Sequence, residues 1–466
     1  MPGSFSRVRS LSGESVGLTC DVWEESCGTV SVVAITAHIV TESFHPKSFV
    51  IAARAVDGRR SGVEMNAFLS NVVEEFRIKE ISGCCTDSEG SLNGGFIIRC
   101  ASRQINLAVG VALKSMLRRT EESELSFLIE KTWKFARLVH KYADIRTLLS
   151  TALIEHKLQL CVIPSDEKQT WDNLLRLFTA IHSMLLAVNS TLITLQKEPF
   201  SEEESSLISQ LVSLLEPFDE MSKSLSREAA SASETLPALK CLHIHALNTS
   251  NSTSDEMVQE LAKRICTELS RRIDQYAKDP SYLRLMISDP RFAYHGTVLP
   301  DDVWKHLERA TLVLLEQRKN TTDLTSVDEK PDVNDIKPAS SKPSIWSLLG
   351  ASEPPAKRAR LATYAETLRA EFTAYARELE TRRPPAESDP YEWWQLHVYR
   401  FPEIAKLARE HLAVPATAVE SERLSGLIYK NHLRNRLQDG TAERCLLLSC
   451  FNLSHKLKYG ASNEAL

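Results

Sequence analysis

Val16-Gly17-Leu18-Thr19-Cys20-Asp21-Val22 is an apolar run of strand length with a single acid set inside it. A carboxylate there is costly unless something pairs with it or a metal binds it, so this acid marks a structural or chemical role. Reading outward, Val30 to Val40 and Ser48 to Val56 are further β-branched runs, separated by polar or glycine-containing turns. That pattern predicts consecutive hairpins. Met65, Phe68, Leu69, Val72 and Phe76 then recur at helical spacing, and Ile81 to Thr86 returns to a strand pattern that ends at a second acid, Asp87. Strand ends are common positions for site residues.

Three strands, a helix and a fourth strand are the opening of a ribonuclease-H-like sheet, so the expected fold class is α+β. Beyond about Leu107 the period is helical: Phe127, Leu128, Trp133, Phe135 and Leu138 begin a series of apolar stripes that runs to about Leu315. Residues 1–15 are expected to be a flexible N-terminus, 16–115 the first part of the core, and 116–316 an all-helical insertion. Residues 317–360 read as a disordered linker, rich in Lys, Asp, Ser, Thr and Pro. Its basic cluster, Lys357, Arg358 and Arg360, fits a nuclear-import signal or a solvated charge run equally well. Residues 361–466 are expected to complete the core.

The chain has 466 residues and a formal net charge of -5, so no global cationic field announces a nucleic-acid or membrane partner. Any DNA contact is expected to be local. The ten cysteines are scattered and mostly sit in apolar runs, which predicts reduced, buried thiols in an intracellular protein. No C-x-x-C pair occurs, so no zinc site is expected. Cys241, His243 and His245 alternate like ligands on a strand but lack a fourth ligand nearby, so packing is the expected role. No signal peptide and no membrane-spanning run is read, nor any dinucleotide-binding, P-loop, zincin or nucleophile-elbow motif, and no small-molecule substrate is expected.

The C-terminal block is the densest in information. It reads Asp389-Pro390-Tyr391-Glu392-Trp393-Trp394, then Phe401-Pro402-Glu403-Ile404-Ala405-Lys406-Leu407-Ala408, Val414-Pro415-Ala416-Thr417, Ser421-Glu422-Arg423, Arg434-Asn435-Arg436-Leu437 and Leu446-Leu447-Leu448. Two adjacent tryptophans and a Phe-Pro helix start bring a large apolar area to a short segment, and Thr417 with Glu420 predicts a capping box. Such a segment either packs into its own domain or meets a partner.

In order and interval these sub-motifs resemble the C-terminal dimerisation region of the hAT transposase superfamily, especially as found in zinc finger BED domain-containing proteins. The resemblance covers roughly Thr363 to Leu453. It implies a dimer with a second copy or a related hAT chain, with Trp393, Trp394, Phe401, Ile404, Leu407, Leu446 and Leu447 as the contact residues. It also implies an Asp, Asp, Glu trio, here Asp21, Asp87 and Glu422, that would hold Mg²⁺ or Mn²⁺ for phosphodiester chemistry. By the same resemblance Trp171 and Arg103 fall at DNA-end positions, and Lys430, Arg434 and Arg436 offer a basic strip near Glu422 that could hold phosphates.

The chain departs from the family pattern at several of these places. Arg103 stands where the family has His, Thr170 precedes Trp171 where it has Arg, and Leu424 follows the Ser-Glu-Arg triplet where it has Phe. No BED finger precedes the strands. The reading is therefore a domesticated or decayed hAT transposase-like protein that dimerises and acts in the nucleus at DNA or chromatin without transposition. Two alternatives stay open: an active DDE-type hAT transposase that cleaves and joins DNA with its metal ions, and a dimerisation partner that sequesters full-length relatives.

Overall fold

The computed structural model describes residues 15–24, 30–57, 62–87, 97–119, 124–164, 170–325 and 363–418. Its sheet contains β1 (Ser15–Glu24), β2 (Val30–Val40), β3 (Pro46–Asp57), β4 (Glu80–Thr86) and β5 (Ile97–Arg99), in the order β3-β2-β1-β4-β5. The first three strands form an antiparallel meander, while β4 runs parallel to β1 and β5 parallel to β4. A parallel neighbour requires a crossover, and α1 (Gly62–Glu75) lies in it between β3 and β4.

Strand alternation divides the sheet into two faces. Val16, Leu18 and Cys20 of β1, Val33, Ile35, Ala37 and Ile39 of β2, and Cys84 of β4 point one way and are buried with Leu69 and Val72 of α1. The opposite face, which carries Gly17, Thr19 and His38, lies under the C-terminal region. The β1–β4 register slips between Val16 and Gly17, leaving Ser82 as an extra residue.

The helical region comprises α2 (Ala101–Arg119), α3 (Glu124–Lys141), α4 (Ala143–Glu155), α5 (Trp171–Ser183), α6 (Leu185–Thr194), α7 (Glu202–Leu225), α8 (Thr235–Ser252), α9 (Glu256–Ala277), α10 (Pro280–Met286) and α11 (Asp301–Thr325). A capping box of Ser201 and Glu204 starts α7, and Asp255 and Asp279 cap α9 and α10 through their carboxylates. The C-terminal region adds α12 (Tyr364–Arg382), α13 (Pro390–His397) and α14 (Pro402–Leu412). No single described helix is long and apolar enough to cross a membrane.

One apolar core runs from α2 through the helical region to Ala416, so the helices and the C-terminal region share an interior. The expected boundary at residue 116 falls inside α2, which begins at Ala101 rather than near Leu107. The expected linker also starts too early. Gln317 to Thr325 continue α11, and Arg318 is tied to Glu80 on β4 and to Glu410 on α14, the latter at 2.8 Å. Cys241, His243 and His245 lie on α8, not on a strand. There His243 Nε2 bonds Ser270 Oγ at 3.0 Å and His245 Nε2 bonds the Leu214 carbonyl at 3.1 Å, which accounts for both rings without a metal.

A buried ionic network anchors the C-terminal region to the helices. Arg291, fully enclosed, contacts Asp289 at 2.8 Å and Glu234 at 3.1 Å, and its Nη1 donates to the Ser388 carbonyl just before α13. Arg227 covers Glu234 from the other side at 2.7 Å. Both acids are thereby neutralised, which a buried carboxylate requires.

Candidate functional site

Cys20 of β1 and Thr86 of β4 are register partners, and Asp21 and Asp87 follow them by one residue each. The two acids therefore sit side by side where the β1–β4 pairing ends, Asp21 within β1 and Asp87 just past β4, and neighbouring strands are about 4.8 Å apart. Asp21 is 5% exposed and Asp87 is half-buried. Burial, with Cys84, Asp21 and Asp87 adding in turn, pushes the Cys20 thiol well up, which places both carboxylates near one sulfur. Thr19, two residues before Asp21 on the same face, shares a hydrogen bond of 3.1 Å with His38 Nε2, and His38 Nδ1 meets Ser48 Oγ at 3.0 Å. Burial pulls the His38 imidazole down to about 3, so it is neutral at ordinary pH.

The C-terminal region approaches these acids along the sheet. Helix α14 lies across β1, β2 and β4, and its exit, Ala413–Val414, presses on Gly17 and Gly83. Residues 414–416 are then held on both sides: Ala232 N donates to the Val414 carbonyl at 2.8 Å, Ala416 N to the Ala230 carbonyl at 2.9 Å, and Ala101 N to the Ala416 carbonyl at 2.9 Å. Ala418 packs against Cys85 and Cys100. The segment thus moves from Gly83 to Cys85, toward the end of the β1–β4 pairing beside Asp21 and Asp87. Glu422 and the expected Thr417–Glu420 capping box lie wholly or partly outside the described residues, as do Lys430, Arg434, Arg436, Leu446 and Leu447.

Two neighbouring carboxylates are hard oxygen donors of the kind Mg²⁺ and Mn²⁺ take, and by themselves they would supply only part of a ligand set. Among the described residues, no group of three or more His, Cys, Asp or Glu side chains is placed to hold a metal.

The remaining expected residues divide by exposure. Arg103 is exposed in the first turn of α2. Trp171 is 5% exposed, and its indole N–H donates to Asn106 Oδ1 at 3.0 Å, so it fills the helical core. Trp394, Phe401, Ile404 and Leu407 are at most 1% exposed and Trp393 is half-buried, so these side chains are taken up by packing within their own chain. Trp394 stacks on Phe44 and Tyr375 with ring centres 5.9 and 5.7 Å away, and its N–H donates to the Ser288 carbonyl at 2.9 Å. Among the described residues of this region, the large apolar side chains presented outward are Leu396 (81% exposed) and Tyr399 (94%). The tryptophan pair drew the sequence reading because of its size. Helix phase, which sets Leu396 opposite Trp394, is the signal that finds the exposed residues.

Residues 371–452 match the model of the hAT family C-terminal dimerisation region. The chain is 21% identical over 331 residues to human "Zinc finger BED domain-containing protein 4", covering 70% of this chain and 26% of that protein. It is 22% identical over 424 residues to mouse "Zinc finger protein 618", covering 87% and 39% respectively. It is 25% identical over 223 residues to "Protein lin-15B" of Caenorhabditis elegans, covering 47% and 13%. The chain thus spans well under half the length of each of these relatives. It carries a hAT family C-terminal dimerisation region and is similar, at low identity, to zinc-finger proteins that include a BED domain-containing one.

Proposed function

We propose that this chain is a hAT transposase-like protein that pairs with a second copy, or with a related hAT chain, through its C-terminal region. In this reading it acts in the nucleus at DNA or chromatin and does not transpose. The observation that carries the proposal is the match over residues 371–452, whose described part is docked on the sheet beside Asp21 and Asp87. The strand order, an antiparallel meander followed by two strands parallel to the first, supports a ribonuclease-H-like core. Loss of transposition rests on the sequence departures at Arg103, Thr170 and Leu424.

The adjacency of Asp21 and Asp87 favours one second reading, in which Asp21, Asp87 and Glu422 still bind Mg²⁺ or Mn²⁺ and the protein cuts DNA. A bound ion would activate water and stabilise the leaving oxygen of a phosphodiester. The chain's own part would be to converge its carboxylates on the ion.

Sedimentation of the purified chain, with calorimetric titration of Mn²⁺ into the wild type and Asp21→Ala, tests both. A dimer without metal binding agrees with the non-transposing protein. Metal binding that Asp21→Ala abolishes supports the nuclease reading, and a monomer at all concentrations overturns pairing.

A further inference from the structure

A cavity of about 270 Å³ lies at the opposite end of β4 from the two acids, where the sheet, α10, α11 and α14 meet. Its walls are mainly apolar, formed by Pro280, Leu283, Leu307, Ala310, Leu314 and Leu407. Arg284 is set into this apolar wall, and among the described residues it forms no ion pair. Its Nη2 donates to the carbonyl of Ser82 at 2.7 Å, the bulged residue whose position in the β1–β4 ladder has no partner. Its Nε is buried without an acceptor. A guanidinium with a buried, unpartnered N–H in a low-dielectric wall calls for an explanation, because native chains rarely leave such groups unsatisfied.

The neighbouring acids do not supply one. Glu80 and Glu410 line the cavity, but both are engaged by Arg318. Burial first, then the charge of Arg318, opposes the Arg284 cation, and Glu80, Glu410 and Asp279 offset this only from a distance. His411, buried in the same wall, is pulled down to about 3 and bonds Ser288 Oγ at 2.9 Å, so it adds no charge.

We propose that this cavity binds a small monocarboxylate with an apolar body, its carboxylate on Arg284 and its apolar part against α10, α11 and α14. A planar guanidinium matches a carboxylate's two oxygens. The acids on the wall disfavour a dianion such as phosphate, because each added negative charge meets theirs. The volume lies just under the roughly 300 to 1,000 Å³ of drug-sized sites, which selects a single ring or a short acyl chain. A ligand here would bridge three parts of the fold, so binding would also hold α14 to the sheet. The site is independent of the carboxylates at the other end of β4.

The test is titration of the full chain with benzoate, 3-phenylpropionate and hexanoate, followed by ligand-observed NMR, with benzyl alcohol as a neutral control. At least one acid is expected to bind at about 1 mM or tighter, as a ligand of this size allows. Arg284→Met, which keeps an apolar stem, should weaken it about tenfold or more, and Ala310→Phe, which fills the cavity, should abolish binding. No saturable binding of any acid to the wild type overturns the proposal. So does acid binding that Arg284→Met leaves unchanged in a variant with wild-type unfolding, or equal affinity for the alcohol. If Arg284→Met does not fold, Ala310→Phe decides: unchanged affinity overturns the site and lost affinity in a folded variant supports it.

Discussion

A Cβ placed on Gly17 would lie 2.1 Å from the carbonyl oxygen of Ala413. Backbone therefore meets backbone where the C-terminal region crosses β1, and no side chain can yield to make room. Gly17→Ala should lift residues 413–414 from the sheet and cost about 3 kcal/mol, at the upper end of ordinary overpacking. At Gly83 the added Cβ would meet Val414 side-chain atoms at 3.0 and 3.2 Å, which can rotate, so Gly83→Ala should cost about 1 kcal/mol. Urea unfolding of the two variants beside the wild type checks the order. Equal costs would mean that the Ala413 crossing is not the tight one.

Trp394 and Leu396, two residues apart on α13, should separate folding from association. Trp394→Ala removes a fully buried ring, its stacking on Phe44 and Tyr375, and the bond to the Ser288 carbonyl. A loss of about 3–5 kcal/mol is expected. Leu396→Glu combined with Tyr399→Ser alters two exposed positions and should leave stability within about 0.5 kcal/mol. If the outward face of α13 meets a second chain, this double variant sediments toward monomer while its unfolding midpoint stays put. A loss of association seen with Trp394→Ala alone, always accompanied by unfolding, would locate the contact elsewhere.

Arg291 holds two carboxylates at once, so its removal should be worse than the removal of either acid. Arg291→Met leaves Asp289 and Glu234 buried, with only Arg227 to balance them, and about 3–5 kcal/mol is expected. Asp289→Asn leaves Arg291 its bonds to Glu234 and to the Ser388 carbonyl, and should cost less. Thermal unfolding of both variants compares them. A milder loss for Arg291→Met would show that water reaches the acids when the guanidinium is gone.

The strands and the first helix were legible because their periods are long and uninterrupted. The alternation of Val16, Leu18 and Cys20 against Gly17, Thr19 and Asp21 matches the two faces of the sheet. Strand β5 was not legible, since three residues, Ile97 to Arg99, carry no measurable period. Cys241, His243 and His245 show why short patterns mislead: five residues of alternation fit a strand, yet tertiary packing made the segment a helix. The polar run from Gln317 to Thr325 has almost no apolar face, so its helix depends on contacts from outside it, Glu80 and Glu410 on Arg318 among them. The pairing of Asp21 with Asp87 was legible only as one acid inside a predicted strand and another at the end of one. That these strands are parallel neighbours is topology, which no local pattern encodes.

Two histidines buried as neutral rings predict how stability follows pH. His38 and His411 are each pulled down to about 3, chiefly by burial, while an unfolded histidine titrates near 6.5. The unfolded chain therefore binds more protons than the folded one below about 6.5, and stability falls as pH falls. At pH 5 the loss should be about 2 kcal/mol per histidine, continuing toward pH 3. Glu371 and Glu410 act in the opposite direction, because burial raises both, so the folded chain gains protons first as pH drops past their folded values. An unfolded histidine titrates near 6.5, so the histidine slope is read between about pH 7 and 5.5. Unfolding midpoints over that range should slope downward with acid, with His243 and His295, also held down by burial, adding to it, and His38→Gln or His411→Gln should each make the slope measurably shallower even though each lowers the neutral-pH midpoint. A slope that neither substitution changes would assign the acid sensitivity to other groups.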